Sequence, residues 1–283
     1  MFWQTTRFRI DLAQPKVMGI VNVTPDSFSD GGRYGDVDAA LAHCRRLLSE
    51  GADILDIGGE SSRPGAHPVG VEEELRRVLP VLEGALRLGC PISIDSAKSE
   101  LMRAALALGV DIVNDINAFR APGALEQVAA HPSCGVCLMH MQGEPRSMQA
   151  EPVYGDVVRE VGDFLVARAE LLRHAGVAAE RIVLDPGIGF GKTAAHNFEL
   201  LQRQDALLHR GYPLLVGWSR KSSLGALTGR GPSDRMAASV AAALAAVQRG
   251  AHIVRVHDVA ATVDALKVWH AAGLPGRSGT IGA

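Results

Sequence analysis

The strongest constraint on the fold is a repeated alternation of short apolar runs with longer segments of helical periodicity. Eight runs rich in Val, Ile and Leu occur along the chain, at residues 17–23, 54–57, 92–94, 112–113, 136–139, 182–184, 214–216 and 253–256. Several intervening segments place apolar residues three or four positions apart, at residues 38–50, 72–88, 153–174, 235–249 and 259–270. The pattern predicts eight strands joined by helices.

Strands that are tens of residues apart pair in parallel, because each connection has room for a right-handed helical crossover. Eight such units close naturally, so we predict an α/β protein with the (β/α)8 TIM-barrel fold. An open, doubly wound sheet is the alternative. No Pro/Ser-rich linker divides the 283 residues, and we expect one domain over 1–283, with residues 1–15 and 273–283 peripheral.

The charge balance argues against a polymeric or membrane partner. The formal net charge is -2, and no long run of Lys or Arg provides a field for nucleic acid or an anionic membrane surface. Residues 1–12 mix Arg7, Arg9 and Asp11 with apolar residues and contain no signal-peptide core. We therefore expect a cytoplasmic protein that binds neither nucleic acid nor membrane.

Four cysteines include one CxxC pair, Cys134 and Cys137, which is compatible with a redox pair or half of a zinc site. No second cysteine pair completes a zinc site, and Cys137 lies in an apolar run. We interpret both as buried structural cysteines.

Polar side chains follow almost every predicted strand. In chain order they include Asn22, Thr24, Glu60, Ser61, Ser62, Arg63, Asp95, Asn114, Asp115, His140, Asp185, Ser219, Arg220, Lys221, Ser222, Arg255, His257 and Asp258. Barrel enzymes build their active sites at the carboxyl ends of the strands, so this distribution predicts a catalytic site there. Taken singly, Asp115 and Asp258 are more typical of helix caps or turns.

Five motifs carry a family resemblance. They are MGIVNVTPDSFSDGG at 18–32, DIGGESSRPG at 56–65, DPGIGFGK at 185–192, GWSRKS at 217–222 and RVHDV at 255–259. In this order, over roughly residues 15–265, the chain resembles the dihydropteroate synthase family of pterin-binding enzymes. Two positions depart from the usual family pattern: Ser62 stands where Thr is common, and residues 95–98 read DSAK rather than DTSK. Neither departure removes a charge.

The resemblance implies a reaction between two small molecules. 6-Hydroxymethyl-7,8-dihydropterin pyrophosphate would condense with p-aminobenzoate to give 7,8-dihydropteroate and pyrophosphate, a step of folate biosynthesis. Pyrophosphate would leave first, and the aniline nitrogen would then capture the pterin methylene. The resemblance also implies a Mg²⁺ cofactor and a homodimer whose interface lies on barrel helices.

The resemblance further implies roles for individual residues. The pterin set is Asp95, Asn114, Asp185, Gly217 and Lys221. The pyrophosphate set is Asn22, Ser62, Arg63, Arg255 and His257, with Asn22 also the magnesium ligand. The p-aminobenzoate set is Thr24, Pro25, Phe28, Ser61, Ser62, Arg63, Pro64, Phe190, Lys221 and Ser222. Of these, Asp95, Asp185, Lys221 and Arg255 are expected to be catalytic.

The chemistry of two of these groups fits their roles. A reduced pterin presents an exocyclic amine beside a ring N–H, and the carboxylate of Asp185 can accept from both. Arg255 and His257 are two positions apart on an extended segment and therefore project from the same side, where departing pyrophosphate needs cations.

Two local patterns fit other functions poorly, and two other functions stay as alternatives. GIGFGKT at 187–193 looks like a phosphate loop, but the position that requires Gly is Pro186. His131, His140 and His174 lack metal-ligand spacing. A pterin-binding methyltransferase would share the barrel but would need no pyrophosphate site. A catalytically silent paralogue that acts as a binding subunit is the third reading.

Overall fold

The protein is described by a computed structural model of residues 1–24, 32–61, 68–145 and 147–273. The strands are β1 (Phe2–Gln4), β2 (Arg9–Asp11), β3 (Lys16–Asn22), β4 (Ile54–Gly58), β5 (Ile92–Asp95), β6 (Ile112–Asp115), β7 (Gly135–Met139), β8 (Ile182–Asp185), β9 (Leu215–Val216) and β10 (Ile253–Val256). The helices are α1 (Gly32–Ser49), α2 (Val71–Ala85), α3 (Ser99–Leu108), α4 (Ala124–Ala130), α5 (Val157–His174), α6 (Ala194–Gln202), α7 (Asp205–Leu208), α8 (Ser222–Thr228), α9 (Met236–Gln248) and α10 (Val259–Ala271). All eight predicted strands are present.

The eight strands β3 to β10 form one sheet in the described part of the chain, in the order β8-β7-β6-β5-β4-β3-β10-β9, and every named pair is parallel. The two outer strands meet through a parallel bridge between Leu184 and Leu214. There the Leu184 amide donates to the Pro213 carbonyl over 2.9 Å. The sheet therefore closes, which confirms the TIM barrel and removes the open-sheet alternative.

Two helices begin at residues other than the predicted ones. We expected a helix from residue 153, but α5 begins at Val157 because the Asp156 carboxylate accepts a hydrogen bond from the Arg159 amide at 3.0 Å. The first helix, in contrast, begins at Gly32, ahead of the predicted residue 38. The start of α5 is set by this cap, which apolar periodicity does not encode.

The barrel interior changes character along its axis. Near the start of the strands lies an apolar layer of Met18, Ile54, Ile112, Cys137, Val183, Leu215 and Ile253. Because side chains alternate along a strand, residues two positions later point to the same side. Those residues include Asp56, Asn114, Asp185 and Arg255. An apolar floor thus supports a polar layer at the carboxyl ends of the strands.

An antiparallel hairpin of β1 and β2 packs under this floor. Trp3 is completely buried with Ile10 and Leu12 against the apolar layer, and its indole N–H donates to the Arg181 carbonyl at 2.9 Å. Gly135 leaves room for the ring, since a Cβ there would lie 2.9 Å from Trp3 Nε1. Part of the segment 1–15, expected to be peripheral, therefore belongs to the core.

Arg7 ties the hairpin to the barrel wall. Its guanidinium pairs with the fully buried Asp111 at 2.6 Å, and its backbone amide donates to the same carboxylate at 3.0 Å. Asp111 also accepts from the Ile92 amide at 2.9 Å. The carboxylate is therefore well satisfied despite its burial.

Two further expectations have structural outcomes. Cys44, Cys90, Cys134 and Cys137 are all free and buried, as the interpretation of the CxxC pair required. Within the described ranges, no helix is long and apolar enough to cross a membrane. Residues 274–283 of the expected peripheral tail lie outside the described residues.

We expect Trp3→Ala to lower the free energy of unfolding by about 3–5 kcal/mol, because it empties a large buried site under the floor. Urea unfolding followed by circular dichroism measures the change. Phe2→Ala is the matched control, since Phe2 is 41% exposed and its loss should cost less than about 1 kcal/mol. Equal effects of the two substitutions would contradict a core role for the hairpin.

Candidate active site

An arginine between two aspartates occupies the centre of the polar layer. Arg255 Nε donates to Asp56 Oδ2 and Nη2 donates to Asp95 Oδ2, both at 2.6 Å. Asn114 Nδ2 also donates to Asp56 Oδ2, at 3.1 Å. The side chain of Asp56 is fully buried, while those of Asp95 and Arg255 retain 17% and 20% exposure. The cluster therefore faces the open end of the barrel.

One guanidinium facing two carboxylates leaves the trio with a net negative charge. Burial raises the pKa of Asp95 to about 7, against the opposing charge of Arg255 and with the support of Asp56. Burial opposes the positive charge of Arg255, but Asp56 and Asp95 outweigh it and raise the pKa of the guanidinium. Asp56 Oδ1 is buried and has no hydrogen-bond partner among the described residues.

Asp185 and Lys221 influence each other electrostatically at the mouth. Asp185 Oδ1 accepts from the Gly187 amide at 2.7 Å. Burial raises the pKa of Asp185 to about 6, although that amide, Lys221 and Arg255 favour the ionised form. Burial lowers the pKa of Lys221 to about 8, and Asp185 works against this shift. Lys221 Nζ lies 4.2 Å from the centroid of the Phe190 ring, within cation–π range.

The loops after β9 and β10 are joined by side-chain contacts. Ser219 Oγ accepts from the His257 amide at 3.1 Å and lies 3.0 Å from His257 Nδ1. Arg220 donates twice to the Asp258 carboxylate, at 3.1 and 2.7 Å. Arg220 also has a φ of 59°, an unusual value for a residue with a side chain. These contacts fix Lys221 relative to Arg255 and His257.

Asp115 and Asp258 support loops, as their sequence positions, typical of helix caps or turns, suggested. Asp258 holds Arg220, as described above. Asp115 is fully buried and accepts from the amides of Asn117 and Phe119 at 2.7 and 2.6 Å. Asp115 therefore stabilises the turn after β6.

The predicted site residues divide into three groups. Those at the barrel mouth are Asp95, Asn114, Asp185, Phe190, Gly217, Lys221, Arg255 and His257. The second group lies at the edges of the described site. Asn22 ends β3 and is in register with Gly58. Thr24 and Ser61 border undescribed segments, and Ser222 is exposed at the start of α8. Pro25, Phe28, Ser62, Arg63 and Pro64 lie outside the described residues.

The structure adds two residues to the candidate site. Asp56 binds Arg255, and its sequence signal was a carboxylate in the middle of the apolar run 54–57. Lys192 ends the motif 185–192 and is only 2% exposed. Its position in a loop gave no indication of burial, which depends on contacts with His140 in the segment after β7.

A metal ion would have few protein ligands here. In the ranges that the structure describes, no group of three His, Cys, Asp or Glu side chains is placed to hold one. Asn22 provides an amide oxygen at the carboxyl end of β3. A hard cation chelated mainly by phosphate oxygens and water requires little more from the protein.

Comparison with known proteins places these residues in a family context. Residues 18–257 match the family described as pterin binding enzyme. The chain is 56% identical over 276 residues to the dihydropteroate synthase of Neisseria meningitidis serogroup C, covering 96% of this chain and 98% of the relative.

Two solved structures are also similar to the chain. Dihydropteroate synthase of Xanthomonas albilineans with 4-aminobenzoic acid has a TM-score of 0.91 at 52% identity, covering 97% of this chain and 100% of that one. The Burkholderia cenocepacia enzyme complexed with 7,8-dihydropteroate has a TM-score of 0.88 at 54% identity and covers 96% of each chain.

We expect two aspartates at the mouth to titrate well above the ordinary value of about 3.9. In ¹³C NMR spectra of labelled protein, the carboxyl signals of Asp95 and Asp185 are assigned as those missing from Asp95→Asn and Asp185→Asn. In the wild type, their titration midpoints should lie near pH 7 for Asp95 and near pH 6 for Asp185. Arg255→Met should raise the Asp95 midpoint further, because the substitution removes a cation that favours the carboxylate. Midpoints near 4 for both signals would contradict the assigned electrostatics.

Proposed function

The chain belongs to the family of pterin-binding enzymes, and we propose that it is a dihydropteroate synthase. In this transferase reaction of folate biosynthesis, p-aminobenzoate displaces pyrophosphate from 6-hydroxymethyl-7,8-dihydropterin pyrophosphate. The observation that carries the proposal is the convergence of Asp185, Asn114 and Lys221 with Arg255 and His257 at one barrel mouth. That set combines acceptors for a pterin edge with cations for a leaving anion.

Recognition of the pterin depends on the buried polar groups. Ionised Asp185 would accept from the exocyclic amine and the neighbouring ring N–H, while Lys221 would donate to the carbonyl side. Asn114 has both a donor and an acceptor for a mixed edge, and Asp95 would face another ring nitrogen. Gly217 has no side chain, which leaves space beside Arg255.

Departure of pyrophosphate requires positive charge at the point where the C–O bond breaks. Arg255 and His257 would stabilise the electron pair that leaves with the pyrophosphate oxygen. Asn22 would hold Mg²⁺, which supplies charge neutralisation to the phosphate oxygens when it is bound. We expect Ser62 and Arg63 to contribute to the same subsite.

The second substrate would capture the resulting cation. The aniline nitrogen of p-aminobenzoate donates its lone pair to the pterin methylene, forms the C–N bond and releases a proton. Phe190 offers an apolar face beside the ammonium of Lys221. Ser222 follows Lys221 in the sequence. Thr24, Pro25, Phe28, Ser61, Ser62, Arg63 and Pro64 are proposed to complete this subsite. The order of bond breaking stays part of the proposal.

We expect purified protein with magnesium and pterin pyrophosphate to release pyrophosphate only when p-aminobenzoate is present, with dihydropteroate detected by chromatography. Asp185→Asn should lower kcat/KM about 100-fold, since the charge is lost and one of the two acceptor oxygens becomes an amide donor facing a donor. Asp264→Asn is the matched control, because that side chain is 75% exposed on α10.

The outcomes of this assay separate the alternatives. Pterin binding without product would favour a silent paralogue, and methyl transfer from a methylated pterin would favour the methyltransferase. Wild-type activity in Asp185→Asn would contradict the role given to that carboxylate.

We also propose a homodimer formed through helices α8, α9 and α10. Helix α9 contacts both of the others, and each carries an exposed apolar side chain: Leu227 at 69%, Met236 at 50% and Val268 at 70%. Surface residues of this kind in neighbouring elements are typical of association surfaces.

Light scattering should therefore give about twice the chain mass of 29.9 kDa. Leu227→Asp should shift the protein toward the monomer, whereas Val153→Asp, which changes a 73% exposed residue outside these helices, should not. A monomeric wild type at micromolar concentration would contradict the dimer.

A further inference from the structure

Lys192 is a buried ammonium that forms hydrogen bonds with the loops around the site. Its Nζ lies 2.9 Å from His140 Nδ1, 3.3 Å from the His140 carbonyl oxygen, 3.0 Å from that of Gly187 and 2.9 Å from that of Phe190. Four acceptors around one nitrogen match an ammonium, which has three donors, better than a neutral amine. Burial lowers its pKa to about 7, and Asp185 opposes that shift.

The partner histidine is neutral. Because Lys192 donates, His140 Nδ1 must be the acceptor and the ring proton lies on Nε2. Burial, followed by the charge of Lys192, lowers the pKa of His140 to about 2. A fixed acceptor and three carbonyl oxygens therefore hold the lysine in one place.

Lys192 binds both ends of a crowded turn. The Phe190 amide donates to the Gly187 carbonyl at 3.0 Å, and Lys192 contacts the carbonyls of these same two residues. Gly187 and Gly189 have φ values of 67° and 82°, and a Cβ at Gly187 would lie 1.9 Å from the His140 carbonyl oxygen. The backbone here has little freedom once the lysine is bound.

The turn presents two groups to the mouth of the barrel. The Gly187 amide points to Asp185 Oδ1, and the Phe190 ring lies beside Lys221 Nζ. We propose that Lys192 is a positioning residue for both substrates: its ammonium fixes the 187–190 turn, which orients Asp185 and supports Lys221. Lys192 acts through these groups, and its role for the substrates rests on the proposed function.

The positive charge of Lys192 also favours the ionised form of Asp185. That carboxylate faces the Gly187 amide and Lys192 from its own loop, Lys221 from the segment after β9 and Arg255 from β10, with the Cys137 thiol on β7 nearby. A carboxylate whose pKa is raised to about 6 loses its acceptor form as the pH falls through that value. Removing Lys192 takes away a cation and moves this loss to higher pH.

The test compares Lys192→Met and Lys192→Gln with the wild type. We expect both to raise the Asp185 midpoint by about one unit in carboxyl NMR, and to raise the KM for pterin pyrophosphate up to about tenfold near pH 6. Lys192→Met, which lacks donors, should also raise the KM for p-aminobenzoate, and Lys192→Gln should restore part of that loss.

Arg7→Ala is the control for a general loss of stability. It breaks the ion pair with Asp111 at the opposite end of the barrel and should leave both KM values and the Asp185 midpoint unchanged. If Lys192→Met fails to fold, Lys192→Gln provides the test. Wild-type KM values and an unchanged Asp185 midpoint in a folded Lys192 variant would overturn the proposal.

The NMR titration needs no substrate, so it is independent of the proposed reaction. Absence of dihydropteroate from the wild-type assay would count against the proposed function alone. A shifted Asp185 midpoint in the variants would still support the electrostatic part of the role of Lys192.

Discussion

The ion pairs of Arg255 with Asp56 and Asp95 are the interaction on which the polar mouth of the barrel depends. Two carboxylates enclosed by eight strands repel each other and lose hydration, and a single guanidinium offsets part of both costs. Arg255 binds them through Nε and Nη2. One arginine side chain therefore holds both carboxylates in place.

The loops around this centre are held by contacts between one another. Ser219 binds His257 and Arg220 binds Asp258, which joins the segments after β9 and β10. Asn197 accepts from the Gly189 amide at 2.9 Å and donates to Ser223 at 2.8 Å, which joins the turn after β8 to α8. Lys192 fixes that turn from inside. Such support limits the movement of groups that must meet a substrate in a defined geometry.

Contacts that stabilise the fold lie at the base of the barrel, and the candidate active-site groups lie at its mouth. At the base, Trp3 fills the apolar floor and Arg7 satisfies Asp111, so the hairpin contributes to stability far from the polar mouth. The mouth carries groups with perturbed protonation, including Asp95 and Asp185. This separation is general for the fold, because strand ends and floors are built from different residues of the same strands.

The sequence by itself determined the eight strands and the collection of Asp95, Asn114, Asp185, Lys221 and Arg255 at their carboxyl ends. These follow from local apolar runs and from the alternation of side chains along a strand. Only the tertiary structure decided that Arg255 pairs with Asp56, 199 residues away, and that Trp3 enters the core. It also decided that Lys192 is buried against His140. Such contacts depend on which distant strands and loops become neighbours when the sheet closes, and local periodicity carries no information about that.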